Sequence, residues 1–324
     1  MARYRRRSRI NWGFVVVSSA LLAAVLLVTL ADKFDFGGKV PTWDDIFTRT
    51  GLAEPAAAKP KEHSKNAYVH FIDVGQGDCI LIEAPDGNIL VDAGTPESVP
   101  KLISYLKKEK ITKLDYVVAT HPHADHIGGM PYIIKDFDVG SFIAPRIPDV
   151  LVPASQSYLK MLKELKNKGM KITTARAGES YDVGAASFTI LGPVNPDSEN
   201  MNNNSVVLRF CYGNVAFLLS GDCERGEEKD ILASGAQLSA DVLKLGHHGS
   251  STSSCYEWLA AVAPKYAVVC CGAENSYGHP HIEVSERLEE FSTKTLRTDI
   301  AGSIVFETDG KALRLINDEK SDGR

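Results

Sequence analysis

A dense cluster of metal-binding residue types constrains the fold of this chain more than any other feature. Three histidines and one aspartate lie within the decapeptide THPHADHIGG at positions 120–129, directly after the apolar run at 116–119. That run is short, rich in β-branched residues and free of turn residues, so it predicts a buried parallel strand. The cluster is therefore expected on the loop at the carboxyl end of a strand, where open α/β sheets bind ligands.

The spacing within the cluster suits two metal ions. Alternate side chains of an extended segment face the same way, so His121 and His123 can hold one ion. Asp125 and His126 follow where the chain turns, and can reach a second ion. Imidazoles with a carboxylate favour zinc, and further oxygen ligands let manganese or iron compete. An isolated His-x-His pair would more often hold no metal, but this density of ligand types predicts a metal-binding loop.

The segments around the cluster predict an α/β fold with two mixed sheets. Strands are expected at 68–74, 79–82 and 89–92, the last two joined by the turn residues PDGN at 85–88. Further strands are expected at 141–144, 171–175, 187–191, 206–212 and 215–219, and helices at 99–110, 130–135, 156–168 and 283–291. Each half opens with hairpins and ends in alternating strands and helices. This order fits two sheets packed face to face with helices outside.

Three later motifs carry the same kinds of side chain. LLSGD at 218–222 ends a buried strand on a carboxylate, DVLKLGHHGS at 241–250 leads a strand into two histidines, and NSYGHPH at 275–281 precedes a helix. The HPHADH pattern at 121–126, which follows a predicted strand, makes the chain resemble the metallo-β-lactamase-fold hydrolases. Together with NNS at 203–205, the two later histidine motifs narrow the resemblance to the hydrolase domain of the ComEC competence family, which takes up DNA. It extends from about residue 68 to residue 316.

The resemblance implies both an architecture and a reaction. The architecture is an αββα sandwich of two mixed sheets with outer helices, holding two divalent metal ions, zinc or manganese. Asp222 would bridge the two ions, and His247 would bind the second ion. The implied ligand set is His121, His123, Asp125, His126, Asp222 and His247. A metal-bridging hydroxide would attack a phosphodiester, so the implied enzyme is a nuclease or another phosphodiesterase.

Two residues are predicted to take part in catalysis, Asp125 and His279. His279 is the candidate acid or phosphate contact, because imidazole transfers protons near neutral pH. Further contacts to the substrate or to the ligands are expected from Asn203, Asn204, His248, Ser250, Ser251 and His281. His248 either orients a metal ligand through a hydrogen bond or has a purely structural role. The two serines precede a predicted helix whose N-terminus would also hold a phosphate.

One position of the wider superfamily pattern is missing. Most di-zinc members have another histidine between the first motif and the bridging aspartate, whereas this chain has none from 127 through 221. Asn203, Asn204 or water is left to complete the first site. With two imidazoles and oxygen ligands, that site should bind zinc more weakly and tolerate manganese.

The N-terminal residues predict a membrane anchor. A basic tail at 1–9 contains five arginines, and residues 14–30 carry no charge. The segment 10–31 is long enough to span a bilayer and is favoured as an uncleaved anchor over a signal peptide, whose cleavage would release the protein. The positive-inside rule then places a linker at 32–66, a hydrolase domain at 67–317 and a polar tail at 318–324 outside the cytoplasm.

Charge limits the choice of substrate. The formal net charge is −5, and without the N-terminal arginines the rest of the chain carries about −10, which disfavours tight binding of duplex DNA. The expected partners are the membrane, nucleic acid or another phosphodiester, and DNA-uptake machinery. The alternatives are a phosphoesterase acting on cell-surface phosphoesters such as phosphocholine esters, and a lactonase or β-lactamase. A non-catalytic scaffold is disfavoured because structural zinc sites are closed by four protein ligands.

Overall fold

In the computed structural model, which describes residues 65–317, the chain forms two mixed β-sheets with helices on their outer faces. The first sheet has eight strands in the order β15-β14-β1-β2-β3-β4-β5-β6. Its strands are β1 Ala67–Phe71, β2 Ile80–Ala84, β3 Gly87–Val91, β4 Lys113–Val118, β5 Asp138–Ala144, β6 Ile172–Thr174, β14 Ile304–Thr308 and β15 Leu313–Asn317. Strands β3 to β6 pair in parallel, and the remaining neighbours pair antiparallel.

The second sheet has seven strands in the order β13-β12-β11-β10-β9-β8-β7. Its strands are β7 Ser180–Val183, β8 Ala186–Gly192, β9 Val207–Tyr212, β10 Val215–Leu219, β11 Val242–Lys244, β12 Tyr266–Val269 and β13 Lys294–Arg297. Strands β7 to β10 are antiparallel and β10 to β13 are parallel. Both sheets therefore change from antiparallel to parallel, and the loops that carry the histidine motifs leave the parallel strands β4 and β11.

The inner faces of the two sheets form one apolar layer. The ring of Phe306 lies 6.1 Å from that of Phe71 in its own sheet and 5.9 Å from that of Phe217 in the other sheet. Strands β2 and β10 are buried along their whole length, which explains their continuous apolar sequences. Where a strand turns one face to this layer and the other toward solvent, its register is fixed, because a shift of one residue would exchange the two faces.

Helices cover the outer face of each sheet. Leu102, Ile133 and Leu165 pack on the first sheet, while Ile231, Trp258 and other apolar side chains pack on the second. The helices are α1 Val99–Lys108, α2 Ala124–Ile127, α3 Met130–Asp136, α4 Gln156–Asn167, α5 Arg225–Ala233, α6 Tyr256–Val262, α7 Ile282–Glu290 and α8 Thr298–Ala301. The predicted sandwich of two mixed sheets with outer helices is confirmed.

The predicted N-terminal segments cannot be compared with this fold. The basic tail, the anchor at 10–31, nearly all of the linker and the polar tail at 318–324 lie outside the described residues. Across residues 65–317, no helix combines the length and the apolar character that crossing a membrane requires. The sequence analysis did not identify β7, β12, β13, β14 or β15, which lie at the sheet edges or next to them.

Candidate metal centre

The histidine cluster lies where β4 gives way to the four-residue helix α2. His123 is extended, with φ −72° and ψ 151°, and it immediately precedes α2. His121 lies in a bend two residues before His123, while Asp125 and His126 lie within the helical turn. The two pairs of side chains therefore leave backbone segments of different conformation.

The first group of potential ligands consists of His121, His123 and Asp222. Nε2 of His121 lies 2.8 Å from Nδ1 of His123 and 3.7 Å from Oδ2 of Asp222. Asp222 reaches this position from the end of β10 through Gly221, whose φ is +52°. A Cβ atom there would lie 3.0 Å from Cβ of Thr120 and 3.1 Å from Cβ of Ser205, so the turn needs glycine both for its conformation and for space.

The second group consists of Asp125, His126, Asp222 and His248. Oδ1 of Asp222 lies 3.2 Å from Nε2 of His126 and 3.6 Å from Nε2 of His248. Nε2 of His248 also lies 3.3 Å from Oδ2 of Asp125. Asp222 thus turns one oxygen toward each group, which is the arrangement of a carboxylate that bridges two metal ions.

The unpaired atoms of the second group fit a cation. Nε2 of His126 and Oδ1 of Asp222 are buried and have no hydrogen-bond partner, although they face each other. Unpaired buried polar atoms are costly. A divalent cation between them would satisfy both, so the residues present fit the metal that the sequence implies.

His247, which the resemblance assigns to the second metal, and His248 take different positions in the structure. Both His247 and His248 have left-handed φ angles, 49° and 54°, so the turn directs the two rings differently. His248 is buried, and its Nδ1 donates to the carbonyl oxygen of Cys270 at 2.8 Å, which leaves Nε2 free to face the group. His247 lies at the rim, with Nδ1 3.1 Å from Oε1 of Glu224 and Nε2 4.0 Å from Oδ2 of Asp222.

Asp92 holds His126 in place, a role that sequence reasoning missed. Its Oδ2 lies 2.7 Å from Nδ1 of His126 and accepts from the Thr120 hydroxyl at 2.6 Å. A carboxylate at the far nitrogen of a ligand imidazole orients the ring and fixes its tautomer. Burial opposes the charged imidazole, but Asp222, Asp92 and Asp125 raise the pKa of His126 well above its usual value. This pKa shift reflects a local excess of negative charge that bound cations would neutralise.

Lys244 is a buried cation behind the centre, also missed from the sequence. It ends β11, and its Nζ contacts the Asp78 carboxylate, donates to the Gly221 carbonyl oxygen at 2.8 Å and lies 3.8 Å from Oδ1 of Asp222. Burial disfavours the ammonium, but Asp78 and Asp222 raise the pKa of Lys244 above its ordinary value. Lys244 therefore ties the Gly221 turn of the second sheet to the loop that carries Asp78 from the first. The sequence feature that could have identified Lys244 is its position as a lysine in an otherwise apolar strand.

Asn203 and Asn204 do not join the first group. Nδ2 of Asn203 donates to Oδ2 of Asp197 at 2.8 Å, and Nδ2 of Asn204 donates to the Asp197 carbonyl oxygen at 2.7 Å. Oδ1 of Asn204 accepts from the Asp197 backbone at 3.0 Å. These amides hold the preceding loop. Of the predicted NNS motif, Ser205 is the residue that contacts the centre, because its hydroxyl accepts from the backbone of Asp222 at 3.1 Å.

The serine segment before helix α6 directs its backbone donors to other parts of the protein. Helix α6 begins at Tyr256, and the backbone N–H groups of Ser254 and Cys255 donate to the Glu228 carboxylate. The hydroxyl groups of Ser250 and Thr252 hydrogen-bond each other, and the Ser251 N–H donates to Nδ1 of His281 at 2.9 Å. These donors are occupied within the protein, so the Ser250 and Ser251 region lacks the free N–H groups that would bind a phosphate.

His279 lies in the cleft above the two groups, and His281 does not. The cleft has a volume of about 380 Å³ and is lined by Gln76, His123, Ala124, Asp125, Asp222, His247, His248, Tyr277 and His279. Nδ1 of His279 is buried without a hydrogen-bond partner. Burial, followed by His248 and His247, lowers the pKa of His279 to about 4. His281 uses both ring nitrogens, since Nδ1 accepts from Ser251 and Nε2 donates to the Tyr277 carbonyl oxygen at 3.1 Å.

Comparison with known proteins relates most of the domain to one family. The model of the Metallo-beta-lactamase superfamily matches residues 72–273. The chain is 32% identical over 261 residues to ComE operon protein 3 of Bacillus subtilis, covering 75% of this chain and 33% of that protein. It is 31% identical over 258 residues to competence protein ComA of Neisseria gonorrhoeae, covering 79% of this chain and 34% of ComA.

The chain thus spans about a third of the length of the curated relatives that it matches. Among solved structures, the metallo-beta-lactamase fold protein YhfI from Bacillus subtilis matches with a TM-score of 0.51 and 14% identity. That match covers 75% of this chain and 100% of YhfI. At this identity the likeness concerns the fold, and it agrees with the two-sheet sandwich described above.

Proposed function

The chain belongs to the metallo-β-lactamase superfamily of hydrolases, and we propose that it is a dinuclear metal-dependent phosphodiesterase that acts on nucleic acid. The observation that carries this proposal is the sharing of Asp222 between two groups of ligand atoms. A carboxylate shared in this way sets two cations side by side. Two adjacent cations can stabilise both the attacking and the leaving oxygen of a phosphodiester.

The proposed sites follow the two groups. His121, His123 and Asp222 would hold the first ion, and Asp125, His126, Asp222 and His248 would hold the second. When bound, such ions act as Lewis acids and lower the pKa of a coordinated water. Nitrogen and oxygen ligands of this kind suit zinc or manganese.

The chain's own residues would position the phosphodiester. His279 lines the cleft beside both groups of ligand atoms, so its imidazole ring can hydrogen-bond a phosphate oxygen. Lys244 and Asp92 keep Asp222 and His126 in place from behind the centre. The burial of His121, His126, Asp222 and His248 limits the access of water to all but the open side and strengthens the electrostatic interactions inside.

The nucleic-acid substrate and the location are proposed from the relatives and from the N-terminal sequence. ComE operon protein 3 and competence protein ComA are similar over most of this chain, which supports a role in DNA uptake. The uncharged segment at 14–30 behind five arginines supports a single membrane anchor with the catalytic domain outside the cytoplasm. The DNA-uptake machinery would then be the partner at the membrane.

A second candidate is a phosphoesterase that acts on cell-surface phosphoesters. It is favoured by charge, because the chain without its N-terminal arginines carries about −10 by formal count. Such a surface attracts a nucleic-acid backbone poorly, whereas a small phosphoester needs contacts only within the cleft.

The test uses the full chain in detergent, stripped of metal and reloaded with zinc or manganese. The substrates are bis-p-nitrophenyl phosphate, a labelled single strand of DNA and nitrocefin, and Asp222→Asn is the matched control. We expect metal-dependent cleavage of the first two by the natural sequence and loss of both in the variant. Cleavage of bis-p-nitrophenyl phosphate alone would favour the surface phosphoesterase. Cleavage of nitrocefin alone would overturn the phosphodiesterase proposal.

A further inference from the structure

Tyr277 is a large aromatic side chain left exposed at the mouth of the metal cleft. It is 64% exposed and lines the cleft together with the metal-binding groups. Its ring stacks on that of His279, with 5.6 Å between centroids and 19° between planes. One face of the tyrosine ring therefore rests on the cleft wall, and the large exposed area leaves the opposite side open to a ligand.

The loop that carries Tyr277 is held firmly from within. Nδ2 of Asn275 donates to the carbonyl oxygens of Gly272 and His279 at 3.0 and 2.8 Å, and its Oδ1 accepts from the His279 N–H at 2.9 Å. Nε2 of His281 donates to the Tyr277 carbonyl oxygen at 3.1 Å. The backbone on both sides of Tyr277 is thereby fixed, so its ring is presented in a defined place before a substrate arrives, which lowers the cost of binding.

Tyr277 lies close to the place where a phosphodiester would be held. The His279 ring, on which it stacks, lies 6.2 Å from the His248 ring and 5.5 Å from the His247 ring. A phosphodiester held at the metal groups would thus have its neighbouring nucleoside within reach of Tyr277. Aromatic side chains hold unpaired bases by stacking, with little preference among the four bases.

We propose that Tyr277 is a stacking platform for an unpaired nucleobase beside the phosphodiester being cleaved, so that the cleft selects single-stranded nucleic acid. This inference rests on the proposed phosphodiesterase function and names its substrate class. In a duplex each base is already stacked and paired within the helix. Reaching Tyr277 would require base unstacking, which carries an energetic cost. Stacking also supplies affinity that an acidic surface does not gain from the phosphates.

An exposed tyrosine could instead bind a quaternary ammonium group such as that of phosphocholine, through its ring face. Removing the bases from an oligonucleotide distinguishes the two ligand classes. An oligonucleotide without bases keeps its phosphates and sugars but loses the stacking partner, whereas phosphocholine has no base. The experiment therefore compares normal with abasic oligonucleotides and includes phosphocholine as a competitor.

The experiment measures binding by fluorescence anisotropy, using the metal-loaded full chain and an eight-nucleotide thymidine strand with phosphorothioate linkages to slow cleavage. We expect Tyr277→Ala to weaken binding by about 5- to 100-fold and Tyr277→Phe to change it by less than about threefold, since phenylalanine keeps the ring. The abasic strand should bind the natural protein and Tyr277→Ala equally. Tyr132→Ala, which alters a 43% exposed tyrosine that does not line the cleft, is the matched control and should bind like the natural protein.

Each outcome separates the inference from the proposed function. Equal binding of the thymidine strand by Tyr277→Ala and by the natural protein would overturn the stacking role, even if bis-p-nitrophenyl phosphate is cleaved. Loss of phosphocholine competition in Tyr277→Ala with unchanged strand binding would also overturn it, in favour of the ammonium ligand. Failure of the natural protein to cleave any phosphodiester would overturn the proposed function, and strand binding would still decide the role of Tyr277.

Discussion

Removal of the buried cation Lys244 should destabilise the protein strongly. Its side chain is fully buried and lies against the Asp78 carboxylate, which is also buried. Lys244→Met keeps the apolar stem but leaves Asp78 without its cation and the Gly221 carbonyl oxygen without its donor at 2.8 Å. Removing one partner of a buried ion pair costs about 3–5 kcal/mol, so we expect a loss of that size in the free energy of unfolding.

The assay is equilibrium unfolding in urea of the metal-free full chain, with Lys265→Met as the matched control. Lys265 also pairs with an aspartate, Asp241, at 2.8 Å, but its side chain is 71% exposed, so its loss should cost about 0–1 kcal/mol. The double variant Lys244→Met with Asp78→Leu should regain part of the loss, because the Asp78 carboxylate is then no longer buried without its ammonium partner. A Lys244→Met variant no less stable than Lys265→Met would refute this reasoning.

Three further predictions concern the centre and its surroundings. His248→Ala should lose about one metal ion per chain by elemental analysis while His247→Ala keeps its metal content, and the reverse pattern would restore the assignment made from sequence. His279→Ala should keep its metal but hydrolyse bis-p-nitrophenyl phosphate at least about tenfold more slowly; full activity would exclude His279 from the reaction. Burial raises the pKa of Glu227 to about 8, so the folded state binds more protons than the unfolded state and stability should fall as pH rises from about 4.5 to 8. Glu227→Gln should reduce this fall in urea unfolding, and an unchanged pH profile would contradict the role of Glu227.

The sequence predicted the parts of the centre that depend on local spacing. His121, His123, Asp125 and His126 lie within six residues, on a bend and the helical turn that follows it, so they are brought together by their sequence separation alone. Asp222 was placed beside them by the resemblance of its motif to that of the metallo-β-lactamase-fold hydrolases. The same local patterns predicted most of the strands of both sheets.

The remaining features depend on contacts between distant segments. Which of His247 and His248 faces the second group depends on the left-handed backbone conformation of both residues. This conformation is uncommon outside glycine, and the sequence does not predict it. Asp78 and Lys244 meet only when the two sheets are packed together. The amides of Asn203 and Asn204 are occupied by Asp197, and this pairing becomes visible only in the folded loop.

The number of metal ions bound per chain tests the central claim most directly. The full chain would be stripped of metal, reloaded with manganese or zinc, freed of excess ion and measured by elemental analysis beside Asp222→Asn. If Asp222 bridges two sites, the natural sequence should hold two ions per chain and the variant should lose most of both. A natural protein that holds one ion or none, or a variant that keeps both, would contradict the proposed dinuclear centre.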